Sequence, residues 1–242
     1  AVGRPLKAAY GDLEAARDIV RQALADGQTN LDLARATQVL RHAGLRYNRS
    51  ATAENDAAAV TCARQIGFPV VIKLISPDVV HKSDVGGVVL NVIDEVGVRE
   101  ACVAIRERVE RHQAGARITG FTVEEQVSGT EVIVGMSKDP DFGAMLMVGM
   151  GGVFVEVYQD VAFRLAPLER RDALDMIGEI RARPLLDGAR GRPVLDRVEL
   201  AELLLRVSDL VEAVPEIEEV DLNPLVITPD GLVAIDARVI VG

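Results

Sequence analysis

A single lysine stands inside an apolar run, Pro69-Val-Val-Ile-Lys73-Leu-Ile75. A short run of this kind, rich in β-branched residues and preceded by Gly67, predicts a largely buried β-strand. An unpaired ammonium buried in such a strand is costly. The fold must therefore either bring Lys73 to the edge of the strand or set it against a fixed anion. The next strand is predicted at Gly87-Val-Val-Leu-Asn-Val92. Between the two lies the densest chemistry in the chain: Ser76, Asp78, His81, Lys82, Ser83, Asp84, Gly86 and Gly87.

The flanking sequence alternates between helical and extended periodicity. Asp12 can cap a helix whose Leu13, Ala16, Val20, Ala23 and Leu24 keep the 3.6-residue period until Gly27 stops it. A second helix is predicted from Leu31 to Ala43, and an alanine-rich one from Thr52 to Ile66. After a further helix over Val98–His112 comes a β-rich block: Thr122–Val127, Glu131–Met136, Ala144–Val148 and Val153–Leu165. Turn signals separate these strands at Ser128-Gly129 and Asp139-Pro-Asp141. Two more helices follow, the second opening on Asp196 and Glu199 in capping-box spacing. A hairpin then closes the chain, Glu219–Thr228 and Leu232–Val239 around Pro229-Asp-Gly231. Helices and strands thus segregate into two lobes, an α+β pattern. The expected divisions are an N-terminal helical segment over 1–50, a first lobe over 51–125 and a second over 126–242.

Composition narrows the function classes. With 242 residues, 49% of them hydrophobic, the chain can bury one core or two smaller ones. The formal charge of -10, with basic and acidic residues interleaved, leaves no positive stripe for a nucleic acid. The longest uncharged run, Gly143–Val155, is too short to span a bilayer and is broken by glycines. No basic, apolar and cleavable segment opens the chain, so a secretory signal is not expected. Cys62 and Cys102 fall on helical patterns and read as buried, inert thiols. A cytoplasmic protein with no membrane partner is expected.

Three groups of residues could carry chemistry. Lys82, Ser83 and the backbone amides of Asp84 to Val88 could wrap a polyphosphate, because Gly86 and Gly87 let the main chain approach closely. The same glycine pair could equally be a plain turn before a strand, and neither a Walker A sequence nor a dinucleotide fingerprint is present. Asp221 and Asn223 share a strand face. If Thr228 and Gly231 close a two-residue turn, Asn223 lies opposite Asp236 and the three oxygen ligands converge in a manner that suits Mg²⁺. A longer loop with a bulge, or distortion at Pro224, would spoil that register. Failing convergence, these are ordinary polar residues on a solvated strand. The third group, Glu124-Glu-Gln-Val127 with Glu131, lies at the join of the lobes. Its backbone could meet an adenine edge and Glu131 could accept ribose hydroxyls, though each glutamate taken singly could simply face solvent.

In their order, Pro69–Lys73, the loop Ser76–Gly87, Glu124–Val127, Gly149-Met-Gly-Gly-Val-Phe-Val-Glu156 and Asp221-Leu-Asn-Pro-Leu225 resemble one family. It is the ATP-grasp subunit or domain of NDP-forming acyl-CoA synthetases, the ADP-forming acetyl-CoA synthetase group related to succinyl-CoA synthetase. The likeness runs from about Asn30 to Val239. It implies an ATP-grasp fold, two α+β lobes with nucleotide bound between them. It also implies that Lys73 serves the α-phosphate side, the Gly86-Gly87 loop with Lys82 and Ser83 the outer phosphates, and Glu124, Glu125, Gln126 and Val127 the adenine. Glu131 would hold ribose, and Asn223 and Asp236 would hold Mg²⁺ with Asp221 in support.

His81 matches the histidine that the family is thought to phosphorylate, in a relay between ATP/ADP and a histidine on a CoA-binding partner. A neutral imidazole suits that role near pH 7. Otherwise His81 is a loop histidine that contacts phosphate or solvent. His42 and His112 read as surface residues. The CoA-binding and ligase domains that activate the acid have no room in this chain. They are expected on another subunit, or on a longer chain from which this one is excised, and an N-terminus without Met is in keeping with that. Acid and CoA would be met through that partner. Two other readings predict different behaviour: a carboxylate–amine ligase, which needs its own acceptor pocket and has no use for His81, and a nucleotide-sensing domain of an acyltransferase, which binds ATP without phosphorylating His81.

Overall fold

The computed structural model describes residues 11–79, 82–152, 159–187 and 196–242. They form two compact units, Asn48–Gln126 and the remainder, which joins the segment up to Tyr47 with Val127–Gly242. Two helices open the chain, α1 (Leu13–Ala25) and α2 (Leu33–His42). Each is capped by an aspartate whose carboxylate takes a backbone N–H three residues on: Asp12 from Ala15 and Asp32 from Arg35.

The unit Asn48–Gln126 contains β1 (Ser50–Ala53), α3 (Asp56–Ile66), β2 (Val70–Ile75), β3 (Val88–Val92), α4 (Glu95–His112) and β4 (Gly120–Glu125). Its antiparallel sheet has the order β1-β4-β2-β3. The expected helix over Thr52–Ile66 is corrected here. Thr52 and Ala53 pair with Thr122 and Phe121 as part of β1, and α3 begins only at Asp56, where the Asn55 carboxamide accepts from the Ala58 N–H. The alanines extend the helical pattern backwards, but strand pairing and the Asn55 cap decide the boundary.

One face of this sheet, including Ile72, Leu74, Phe121 and Val123, packs on Ala59, Ala63, Cys102 and Ile105 of the two helices. The opposite face carries Val71, Lys73, Thr122 and Glu124, as the register Val71↔Glu124 and Lys73↔Thr122 requires. Cys102 is buried, and burial foremost, with Asp56 adding, pushes its thiol up to about 11. Cys62 is half-buried in α3, more open than the sequence pattern implied.

The other unit adds β5 (Thr130–Asp139), β6 (Gly143–Met150), β7 (Val161–Leu165), α5 (Arg170–Glu179), α6 (Arg197–Ala213), β8 (Ile217–Thr228), β9 (Gly231–Ala234) and β10 (Ala237–Val241). Of the strand expected over Val153–Leu165, residues 153–158 lie outside the described residues. The sheet order is β10-β8-β5-β6-β7, with β9 also pairing β8. Val132, Val134, Leu146, Val148, Leu222 and Leu225 form its inner face against apolar residues of the helices, such as Val20, Leu40, Met176 and Leu204.

Asp196 caps α6 through the Val198 N–H. The expected capping-box partner, Glu199, turns elsewhere and accepts the Leu232 N–H at 2.9 Å, fastening α6 to the β8–β9 turn. The reciprocal bond sits instead at α5, where the Asp172 carboxylate takes the Glu169 N–H. No helix among the described residues is long and apolar enough to cross a membrane.

Candidate functional site

The register of the closing hairpin fixes how the three expected oxygen ligands are placed. Thr228 pairs with Gly231, so the loop is the two residues Pro229-Asp230. Gly231 takes φ +111°, and the Thr228 hydroxyl donates to its carbonyl at 2.8 Å while accepting the Asp230 N–H. Leu225 then faces Ala234 on β9, and Leu222 faces Ala237 on β10. The same register runs through both strands, so Asn223 stands opposite Asp236.

Pro224 does distort the sheet, but on the other side. Against β5 the register slips between Val132↔Leu225 and Val134↔Leu222, which makes Asn223-Pro224 a bulge. The bulge leaves Asn223 exposed on the face that Asp221 shares, while Leu222 and Leu225 both stay in the core. Burial pushes the Asp221 carboxyl up, the Glu219 and Asp236 carboxylates add to this, and Arg238 opposes it. The three residues thus offer two carboxylates and one carboxamide. Among the described residues there is no group of three or more His, Cys, Asp or Glu placed to hold a metal.

Next to these oxygens the sheet face forms a depression of about 330 Å³. Gly135 and Ser137 form its floor, Met145, Met147 and Phe163 one side, and Glu219, Asp221 and Asn223 the other. Sequence reading missed the apolar side, although Met145 and Met147 alternate with the core residues Leu146 and Val148. Gly135 keeps the floor low, since a Cβ there would come within 3.3 Å of Met147. Glu131 is exposed, and its carbonyl accepts the Gly151 N–H at 2.9 Å. A Cβ on Gly151 would come within 2.8 Å of the Glu131 Cβ, so the glycine lets the strand end close on this glutamate.

In the unit Asn48–Gln126, Lys73 lies on β2, between β4 and β3. It is therefore not at a sheet edge. It meets a fixed anion, Glu124, with Nζ 2.7 Å from Oε2, and the two side chains keep 23% and 6% of their exposure. Glu125 makes a bidentate pair with Arg49. The N–H groups of Glu125 and Gln126 donate to the carbonyls of Arg49 and Pro69. The Gln126 carboxamide accepts the Asn91 N–H and donates to Asn91 Oδ1, both at 2.6 Å. Asn91 has φ +57°, so Gln126 holds a left-handed residue next to the register slip of β3 against β2. A lone Asn in an apolar strand was the available signal for it.

The loop after β2 is tied at both ends. Asp78 accepts from the Arg117 backbone and guanidinium, and its carbonyl accepts from Gln113. The Arg117 guanidinium foremost, then its N–H, holds the Asp78 carboxyl at about 2. At the other end the Gly86 and Gly87 N–H groups donate to the Ser83 and Lys82 carbonyls. Gly86 has φ +69°, and a Cβ there would lie 2.7 Å from Arg108. The glycine pair is a packed turn whose own amides are spent internally. Ser83 and Asp84 are exposed and Lys82 is partly so. His81 lies outside the described residues.

Residues 22–241 match the family model described as the ATP-grasp domain. The chain is 39% identical over 226 residues to the Acetate--CoA ligase [ADP-forming] I subunit beta of Pyrococcus furiosus, covering 93% of this chain and 97% of that one. The chain belongs to the ATP-grasp family of ADP-forming acetate–CoA ligase β-subunits. It is 44% identical over 230 residues to the Acetate--CoA ligase [ADP-forming] I of Archaeoglobus fulgidus, which is longer: the match takes 95% of this chain and 33% of that one. Among solved structures it resembles acetyl-coenzyme A synthetase 1 of Ca. Korarchaeum cryptofilum, with TM-score 0.79 and 38% identity over 94% of this chain and 100% of that one. That structure holds coenzyme A and Mg-AMPPCP, with a phosphohistidine segment pointing towards the nucleotide binding site. Membership of this ATP-grasp family makes the chain a nucleotide-binding component of an acid–thiol ligase with a partner subunit or domain in the same enzyme.

Proposed function

We propose that this chain performs the phosphoryl-transfer part of an ADP-forming acyl-CoA synthetase, in which acid, CoA and ATP interconvert with acyl-CoA, ADP and phosphate. The observation that carries the reading is the hairpin register, with Asn223 opposite Asp236 and Asp221 on the same face. Oxygen donors suit Mg²⁺, which needs few protein ligands when phosphate oxygens complete its shell. Glu219 and Asp236 are further carboxylates beside Asp221, with Arg238 the cation that opposes them, so the site has carboxylate charge that a metal would balance. Bound at Asn223, Asp236 and Asp221, Mg²⁺ supplies charge neutralisation to the outer phosphates.

Lys73 serves the α-phosphate side, and Lys82 and Ser83 the outer phosphates, while Gly86 and Gly87 shape the loop that carries them. The adenine edge is met along Glu124 to Val127. Because the Glu125 and Gln126 N–H groups are engaged within their own unit, the base is read by carbonyls and by the Val127 N–H. Glu131 accepts from the ribose hydroxyls. His81 attacks the γ-phosphorus of ATP through a neutral imidazole nitrogen. A P–N bond forms as the P–O bond to ADP breaks, and ADP leaves. The phosphoryl group then passes to the partner subunit or domain, which holds acid and CoA. The two free cysteines are in keeping with a cytoplasmic setting.

The test is His81→Ala in the complex with its partner. The expected outcome is loss of acyl-CoA synthesis and of acid-labile, base-stable ³²P labelling from ATP carrying ³²P at the γ position, with Mg·ATP binding retained. Turnover at the wild-type rate would exclude the relay.

A further inference from the structure

The Lys73–Glu124 contact joins two residues that the nucleotide reading uses in different ways, the lysine by its side chain and the glutamate by its backbone. The Glu124 side chain is thereby left without a role. It is almost fully buried on the face of the four-stranded sheet opposite α3 and α4, with its Oε2 2.7 Å from Lys73 Nζ. Behind it stands Asn48, 1% exposed, whose Nδ2 lies 3.5 Å from Glu124 Oε2 and 3.4 Å from the Glu125 carbonyl. The Asn48 Oδ1 is buried and has no hydrogen-bond partner among the described residues. Turning the amide over would set that oxygen against the carboxylate, so electrostatics fixes its orientation.

We propose that the Glu124 side chain is a positioning residue for Lys73, backed by the Asn48 amide. It holds the ammonium at a fixed place on the sheet and offsets its charge before nucleotide arrives. A lysine on a four-carbon stem carries large rotamer freedom, and a buried carboxylate at 2.7 Å removes most of it. The consequence is a trade between affinity and placement. A compensated lysine contributes direction more than attraction, so the bulk of the phosphate charge falls to other cations of the site. Glu124 therefore weakens ground-state binding and favours the geometry in which transfer occurs. This proposal rests on the nucleotide reading above.

The experiment compares wild type, Glu124→Gln, Glu124→Asp, Lys73→Met and the double variant Glu124→Gln/Lys73→Met, each as the full chain with its partner. It measures the Mg·AMPPCP dissociation constant at low and moderate salt, kcat and KM for ATP, and Tm. Glu124→Gln is expected to bind Mg·AMPPCP about fivefold tighter at low salt, the size of one unit charge at about 4 Å in water. Its salt dependence should be steeper and its kcat roughly tenfold lower. Glu124→Asp should recover part of kcat. In the Lys73→Met background, Glu124→Gln should have no further effect on kcat, because Glu124 acts through the lysine. The double variant also removes both charges of the pair and so guards against a folding artefact.

Equal KM and kcat losses in Glu124→Gln, or losses that add in the double variant, would overturn the positioning role while leaving the nucleotide site intact. Absence of Mg·AMPPCP binding by wild type would overturn the nucleotide reading itself. A Lys73→Met variant with unchanged binding and kcat would remove the lysine from the site and this proposal with it.

Discussion

In each of the two units helices pack on one face of the sheet, and the opposite faces differ in how their charge is balanced. On the four-stranded sheet the ammonium of Lys73 and the carboxylate of Glu124 compensate each other at 2.7 Å. On the six-stranded sheet burial foremost pushes the Asp221 carboxyl up, the nearby Glu219 and Asp236 carboxylates add to this, and Arg238 opposes it. The first face balances its Lys73 charge within the protein. The second, on the function proposed above, would be completed by a cation. A nucleotide-binding fold can therefore divide its work between a region preset by folding and a region finished by ligand, and the two should respond oppositely to the same kind of substitution.

The largest effect expected is on the preset face. Lys73→Met leaves Glu124 buried without its partner and should cost about 3 kcal/mol in denaturant unfolding, within the range for breaking a buried pair. Glu124→Gln leaves a lysine that can still reach solvent and should cost far less. The double variant should return close to wild type. If both single changes were equally mild, the pair would be no more than a surface contact and the contrast between the faces would fail.

On the ligand-finished face the order reverses. Asn223→Ala and Asp236→Ala should leave the unliganded protein nearly as stable as wild type. They should, however, abolish the gain of about 2.7 kcal/mol that Mg·ATP at 100 times its dissociation constant confers. Thermal unfolding with and without Mg²⁺ separates the two: a gain that survives without the metal would take these residues out of the site.

A smaller effect tests the edge of the preset face. Gln126→Ala removes both bonds to Asn91 and should cost about 1–2 kcal/mol. Asn91→Gly, which keeps the left-handed backbone at no steric cost, should be milder. Because the carboxamide of Gln126 is spent on Asn91, its loss should raise KM for ATP by loosening the segment Glu124–Val127. A change in kcat alone would not fit this.

The sequence disclosed these two faces unequally. The Asp221/Asn223/Asp236 constellation was legible because side-chain period in a strand is fixed and the Pro-Asp-Gly turn limits the register to two choices. Which register forms depends on Thr228, Gly231 and the anchoring of Leu232 by Glu199, a contact from a helix that local pattern assigned to capping. Lys73 announced itself by being a cation among Val, Ile and Leu, but its partner lies far along the chain. Two adjacent glutamates look alike in sequence, and only the β2–β4 register assigns Glu124 to Lys73 and leaves Glu125 to Arg49. Asn48 gave no signal, being an unremarkable polar residue before a short strand. The helix start at Asp56 was missed for a related reason: Thr52 and Ala53 are as compatible with a helix as with β1, and the decision belongs to their partners on β4.

The finest probe of the contrast is pH. Asp221 has its carboxyl raised above the ordinary 3.8. Between that value and its higher folded one, the folded state keeps a proton that the unfolded state releases, so stability falls as pH rises through this window. Asp221→Asn cannot release a proton and should flatten that part of the pH profile. Above the window it should raise the Tm of the metal-free protein slightly, and it should weaken Mg-dependent stabilisation by nucleotide. If Asp221→Asn lowered the metal-free Tm instead, the carboxylate would be stabilising in the protein alone, and the six-stranded sheet would have no unbalanced charge for a cation to complete.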